Sequence, residues 1–171
     1  MKIISGGQTG VDRAALDAAL EHGIECGGWC PAGRLNELGK IPQRYPLQEV
    51  KQHVKEGAAL WEPKSDIFAE RTLRNVENSD GTIVIYPGRL RGGSEYTIKC
   101  CSELKRPDRS IDAAKISPEE AAELIVEFVR KERIRTLNVA GPRQSEWPGG
   151  YDYAFRVLDI FLATIKTGCS L

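Results

Sequence analysis

The sequence predicts an α/β domain of Rossmann-like design: three layers, a mostly parallel sheet, and helices on both faces. Three observations predict it. Short apolar runs alternate with helix-length amphipathic segments along the 171 residues, the order that builds a parallel sheet. The clearest run, Thr82–Tyr86 (TIVIY), is apolar without alternation, as befits a strand covered on both faces. Glycine-rich loops follow the first strand, the TIVIY strand and the last strand, and such loops gather beyond the carboxyl ends of a parallel sheet. The length suits one domain, so residues 1–171 are read as a single Rossmann-like unit.

Each element has its own signal. Lys2–Ser5 reads as a buried strand. A helix from about Thr9 to His22 follows, with Val11, Ala14, Ala15, Ala18 and Ala19 on one side and Gly23 as its stop. Ile24–Trp29 is the expected second strand. Pro31–Pro46 is a long irregular stretch, of a length that is usually functional or mobile. Leu47–Pro63 gives no clear pattern. Asp66–Asn78 has helical spacing, with Ser65 as a candidate N-cap. After TIVIY, Pro87–Ser94 is a loop, Glu95–Glu103 a helix and Arg109–Asp112 a short strand. Ser117-Pro118-Glu119-Glu120 combines an N-cap serine, a first-turn proline and a capping-box glutamate, and opens a helix to about Lys131. Thr136–Ala140 is the last strand. Ala154, Val157, Leu158, Phe161, Leu162 and Ile165 mark the buried stripe of the final helix.

Composition narrows the function classes. Twenty-four basic residues balance twenty-four acidic ones, so no net field draws the chain to nucleic acid or to an anionic membrane. Neither a secretory leader nor an 18-residue apolar span is found, and a cytoplasmic protein is expected. Cys26, Cys30, Cys100, Cys101 and Cys169 are an odd set that fits reduced thiols. With His22 and His53 they form no recognisable metal site, and small buried hydrophobes are the simpler reading.

The chemistry is expected at three loops: Ser5–Arg13, Pro87–Ser94 and Ala140–Ser145, the last reaching its helix through Pro148-Gly149-Gly150. A helix start offers unpaired N–H groups and partial positive charge, and glycine lets the backbone approach, so a phosphate fits there. The first loop has neither the lysine of a P-loop nor the glycine spacing of the dinucleotide fold. Arg13, Arg34, Arg89, Arg91 and Arg143 lie in or beside glycine-containing segments, and guanidinium binds phosphate bidentately. Arg143 and Arg91 stand out, one just past Gly141-Pro142, the other just before Gly92-Gly93. Asp12 sits where it complements the first helix's dipole or holds the loop by hydrogen bonds. Asp80 reads as a turn residue, and Trp147 as an aromatic placed to stack on a flat ring. No Ser-His-Asp set or Cys-His pair can be assembled.

Taken together, SGGQTGVDRAALDAA, CPAGRLNELGKIP, ERTLRN, SDGTIVIYPGRLRGGSEYT and LNVAGPR resemble the molybdenum-carrier family, the circularly permuted YpsA-related branch of the SLOG superfamily. The resemblance spans nearly the whole chain. It implies a Rossmann-like fold, frequent dimers, and a ligand site for a pterin or nucleotide-like molecule, with molybdenum cofactor as the carried group. Residue by residue it points to Gly6, Gly7, Gln8, Thr9, Gly10 and Asp12, to Arg71, Thr72 and Asn75 of ERTLRN, to Gly92, Gly93 and Ser94, and to Gly141, Pro142 and Arg143.

The wider superfamily includes phosphoribohydrolases with the motif PGGxGTxxE. Aligning Gly93-Ser94 with its GT puts Thr97 where the glutamate belongs. Glu95 comes two residues early, roughly 200° away on a helix. The expected function is therefore a carrier or binding protein for a phosphorylated pterin or nucleotide-like ligand. The alternatives are a nucleoside-monophosphate phosphoribohydrolase, with Asp12 or Glu95 as substitute acid, and a nucleotide sensor.

Overall fold

The computed structural model describes residues 1–50 and 65–168. Strand β1 (Lys2–Ile4) leads into helix α1 (Val11–Glu21) and strand β2 (Glu25–Gly27). The predicted strand Ile24–Trp29 is in fact two. It breaks at Gly28, and β3 (Trp29–Cys30) leaves the central sheet. A helical turn at Ala32–Arg34 precedes a small hairpin of β4 (Leu35–Asn36) and β5 (Gly39–Lys40), and β6 (Gln48–Glu49) returns to pair with β3. Then come α2 (Ser65–Glu77), β7 (Gly81–Tyr86), α3 (Gly92–Glu103), β8 (Asp108–Asp112), α4 (Pro118–Lys131), β9 (Thr136–Ala140) and α5 (Gly150–Thr167). The proposed cap by the Ser65 side chain, Cys169, His53 and most of Leu47–Pro63 lie outside the residues whose structure is described.

Five parallel strands form the central sheet in the order β2-β1-β9-β7-β8. Counted cyclically from β7, this is the doubly wound order 2-1-3-4-5 with the chain opened between α5 and β1. Helices α1, α4 and α5 pack together on one face, and α2 and α3 on the other. Strand pleating assigns the side chains. Ile83, Ile85, Leu137 and Val139 join the core under the three-helix layer, while the alternate residues Thr82 and Asn138 bond to each other on the opposite face.

The final helix buries Ala154, Val157, Leu158, Phe161 and Leu162, as their spacing predicts. Truncating a side chain such as Leu158 to alanine costs about 2–5 kcal/mol through lost burial and the cavity left behind. Helix α4 begins with both halves of its capping box: Ser117 Oγ accepts from the Glu120 N–H at 3.2 Å, and Glu120 accepts from the Ser117 N–H at 2.8 Å. Asp80 accepts from the N–H groups of Arg135 and Thr136, tying the start of β9 to β7.

Two expectations change. The stretch Pro31–Pro46 is ordered around Arg34, whose buried guanidinium donates to the carbonyls of Ile41, Leu47, Pro42 and Tyr45 at 3.3, 3.0, 2.9 and 2.9 Å. Arg34 is thus consumed by its own loop. Helix α3 starts at Gly92, not Glu95, because Arg91 is the last extended residue (φ −149°) and serves as N-cap. The Gly92-Gly93-Ser94 run is therefore a helix N-terminus. Among the described residues no helix is long and apolar enough to cross a membrane.

Candidate functional site

In a sheet of order 2-1-3-4-5 the crevice opens between the strands where the order reverses, here β7 and β9. The loop after β7 leads to α3 on one face and the loop after β9 to α5 on the other, so the two loops part and leave a cleft. Gly6, Asp12, Arg71, Gly93, Ser94 and Gly141 line its floor. An outer part of ≈ 280 Å³ adds Gln8, Phe68, Arg143 and Glu146. A third compartment, against the β7 loop, shares Ser94 and Glu146 with these.

The first loop is held by an ion pair. Asp12 is almost fully buried in the first turn of α1. One of its oxygens accepts from Arg71 Nη1 at 2.8 Å and from the Gln8 N–H at 3.3 Å. The Arg71 guanidinium lies directly over Gly6, where any side chain would collide with it. Gly10 has φ 70°, and a Cβ there would stand 2.6 Å from the Pro142 carbonyl oxygen. Glycine is required on both counts, and its absence of a side chain lets the first and third loops touch.

Across the cleft stands the N-terminus of α3. Space beside Gly92 and Gly93 is open, and Ser94 and Thr97 are buried just behind. Thr97 Oγ1 bonds back to the Gly93 carbonyl at 2.8 Å, so the position aligned with the hydrolase glutamate braces the helix turn. In the same compartment, Arg71 gives Nη1 to Asp12, while its Nε is buried without a hydrogen-bond partner among the described residues. Buried Gln8 Oε1 is likewise without one.

Other predicted residues are engaged elsewhere. Asn75 uses its side-chain amide on Trp29, accepting from the N–H at 2.8 Å and donating to the carbonyl at 2.9 Å. It holds β3 against α2 while lining the cleft floor. Arg13 stacks over the Tyr45 ring at 4.8 Å. Trp147 packs over Gly150 and against Tyr153 at 5.7 Å between ring centroids. Arg143 pairs with Glu146 at 2.9 Å, at the mouth of the cleft. Gly7 lies over Leu47 and Ile41. Glu95 is exposed and lines none of the cleft compartments, whereas Arg91 and Pro142 line the third one.

Two residues were not legible from spacing alone. Glu37, at the hairpin, accepts from Thr9 Oγ1, from the Ser145 hydroxyl and from the Ser145 N–H at 3.1 Å. Thr9 Oγ1 in turn accepts from the Gln144 N–H at 3.0 Å. One carboxylate thus ties the hairpin to both the first and third loops. Burial would raise its pKa, but the bonds from Ser145 and Thr9 and the charge of Arg143 outweigh it and hold the pKa below the usual carboxylate value. Nothing near Glu37 in sequence announces this role. Asn138, on the cleft floor, has one signal: it is the polar residue inside the buried run of the last strand.

Cys26, Cys30, Cys100 and Cys101 are buried free thiols, each with its pKa raised by burial. Among the described residues no group of three or more His, Cys, Asp or Glu is placed to hold a metal ion.

Residues 3–162 match the model of the circularly permutated YpsA SLOG family. The chain belongs to that family. Its permutation agrees with the cyclic shift of strand order described above. The permuted YpsA chain also resembles a solved structure named "Putative molybdenum carrier protein" from Syntrophus aciditrophicus SB, with a TM-score of 0.83, 45% identity and 94% of each chain covered. No match is found among curated proteins.

Proposed function

We propose that this protein is a binding or carrier protein for a phosphorylated, ring-bearing small molecule, a pterin phosphate of the molybdenum-cofactor type or a nucleotide-like relative. The observation that carries the reading is that the α3 N-terminus at Gly93-Ser94 lines one compartment with Arg71, whose buried Nε has no hydrogen-bond partner among the described residues. A helix N-terminus and a guanidinium together form a phosphate cradle. A buried donor without a partner is the kind of exception that a missing anion explains. Phe68 and Gln8, in the outer part, provide a ring face and a polar edge for the rest of the ligand. The name of the Syntrophus relative, a molybdenum carrier, supports a molybdenum-related cargo. Gly7, Thr9 and Gly10 then act by fixing the loop, and Gly141 and Pro142 by closing its far side.

A carrier fits this chemistry better than a hydrolase does. Asp12 is tied to Arg71 and the Gln8 N–H, and Glu95 is exposed and lines none of the cleft compartments. The test is mass spectrometry of the small molecule released from freshly purified protein on denaturation, with calorimetric titration of 6-hydroxymethylpterin phosphate and GMP. Saturable binding of either compound, with no free base produced, is expected. Release of base and ribose phosphate from GMP would move the assignment to the phosphoribohydrolase class.

A further inference from the structure

Against the β7 loop the cleft continues into its third compartment, here the second arm, of ≈ 420 Å³, walled by Tyr86, Pro87 and Pro142 and carrying Arg89 and Arg91. It shares Ser94 and Glu146 with the compartment that holds Gln8 and Phe68. The β7 loop that carries the two arginines is braced. Asp112 Oδ1 accepts from the Gly88 N–H at 2.7 Å and the Ala114 N–H at 3.1 Å, and the Arg89 N–H bonds to the Pro87 carbonyl at 2.9 Å. Its acidic neighbour, Glu146, is already paired with Arg143, so the compartment presents positive charge beside a half-buried tyrosine ring and two prolines. That combination suits a second phosphate with a flat or sugar-bearing body.

Building on the phosphate cradle proposed above, we infer that the ligand is two-armed: a pyrophosphate-linked, dinucleotide-like molecule. Its phosphates cross at Gly92-Gly93-Ser94, one ring lies towards Phe68 and the other towards Tyr86, and Arg89 and Arg91 hold the second phosphate. The two compartments share Ser94 at the helix terminus and Glu146 from the loop after β9, and Gly92 lines one while Gly93 lines the other, so a linking diphosphate would pass along this terminus. A mononucleotide would fill one of them.

The test is a calorimetric series on the full-length protein with GMP, GDP and P1,P2-di(guanosine-5′) diphosphate. The expected order has the diguanosine compound at least tenfold tighter than GDP, and GDP tighter than GMP. The Arg89→Ala variant, at an exposed position in the β7 loop, should lose that advantage and keep GMP affinity within twofold. Equal affinity for GDP and the diguanosine compound would overturn the two-armed ligand, since it would give the third compartment a phosphate and no ring. An Arg89→Ala protein that loses GMP binding equally would overturn it too. If GMP binds and the diguanosine compound binds no better, the two-armed ligand fails and the cradle stands. If none of the three binds and the wild-type protein also ignores pterin phosphate, both fail.

Discussion

Arg71 Nη1 and Asp12 Oδ2 meet at 2.8 Å across the floor of the cleft, with the guanidinium resting on Gly6. The pair joins helix α2 to the first turn of α1 through two residues 59 apart in sequence. It fixes which nitrogen of Arg71 is occupied, while Nε has no hydrogen-bond partner among the described residues. Asp12→Asn should therefore cost about 1–3 kcal/mol of stability, the usual loss when a buried charged group loses its partner's charge. Arg71→Lys should keep more of the stability and weaken phosphate binding at least tenfold, because an ammonium lacks the planar fork. Urea denaturation and calorimetric titration with pterin phosphate separate the two effects.

Glycine positions divide into those that serve the fold and those that serve the ligand. Gly10→Ala introduces strain at φ 70° and a contact at 2.6 Å with the Pro142 carbonyl, and should destabilise by about 1–3 kcal/mol. Gly93→Ala meets open space, so the urea midpoint should stay near wild type while phosphate affinity falls. A Gly93→Ala protein that binds normally would show that ligand does not approach this backbone.

Glu37 makes the loop arrangement dependent on pH. Its pKa is lowered in the folded state from an ordinary 4.5. The stabilisation it provides is present above the unfolded value and is lost as pH falls through the lowered folded value. Stability of wild type and Glu37→Gln, compared from pH 7 downward, should differ by about 1–3 kcal/mol at neutral pH. The difference should narrow below 4.5 as the carboxylate takes its proton.

The buried thiols should be slow to react. Cys101, pushed up to about 11 by burial, and Cys26, Cys30 and Cys100, also raised, should resist iodoacetamide at pH 8 in the folded protein and react promptly in urea. Peptide mapping checks each residue separately. Fast labelling of Cys100 or Cys101 in native protein would mean that the α2–α3 layer opens readily.

Much of the architecture was legible because local physics repeats along the chain. TIVIY could only be a covered strand, Ser117–Glu120 could only open a helix, and Gly23 could only follow one. The misreadings have physical causes. Gly92 and Gly93 are poor helix formers, so sequence favours a loop there, yet Arg91 caps them into the first turn of α3. Pro31–Pro46 has no periodicity because it is organised by four bonds from the Arg34 side chain to backbone carbonyls 7 to 13 residues on, rather than by a repeating face. The candidate site was legible in its glycines and in Arg71, and much less so in Glu37, whose partners lie 28 and 108 residues away. Asn75 shows the converse: a polar residue in a promising motif whose hydrogen bonds go to Trp29.

The most direct measurement is an NMR titration of isotope-labelled protein with 6-hydroxymethylpterin phosphate and, separately, with the same pterin lacking its phosphate. Binding in the cleft by the phosphate predicts saturable shifts of the Gly92 and Gly93 amides and of the Arg71 Nε signal with the phosphorylated compound, and loss of those shifts without the phosphate. Identical responses to both compounds, or shifts confined to residues away from the β7–β9 crevice, would contradict it.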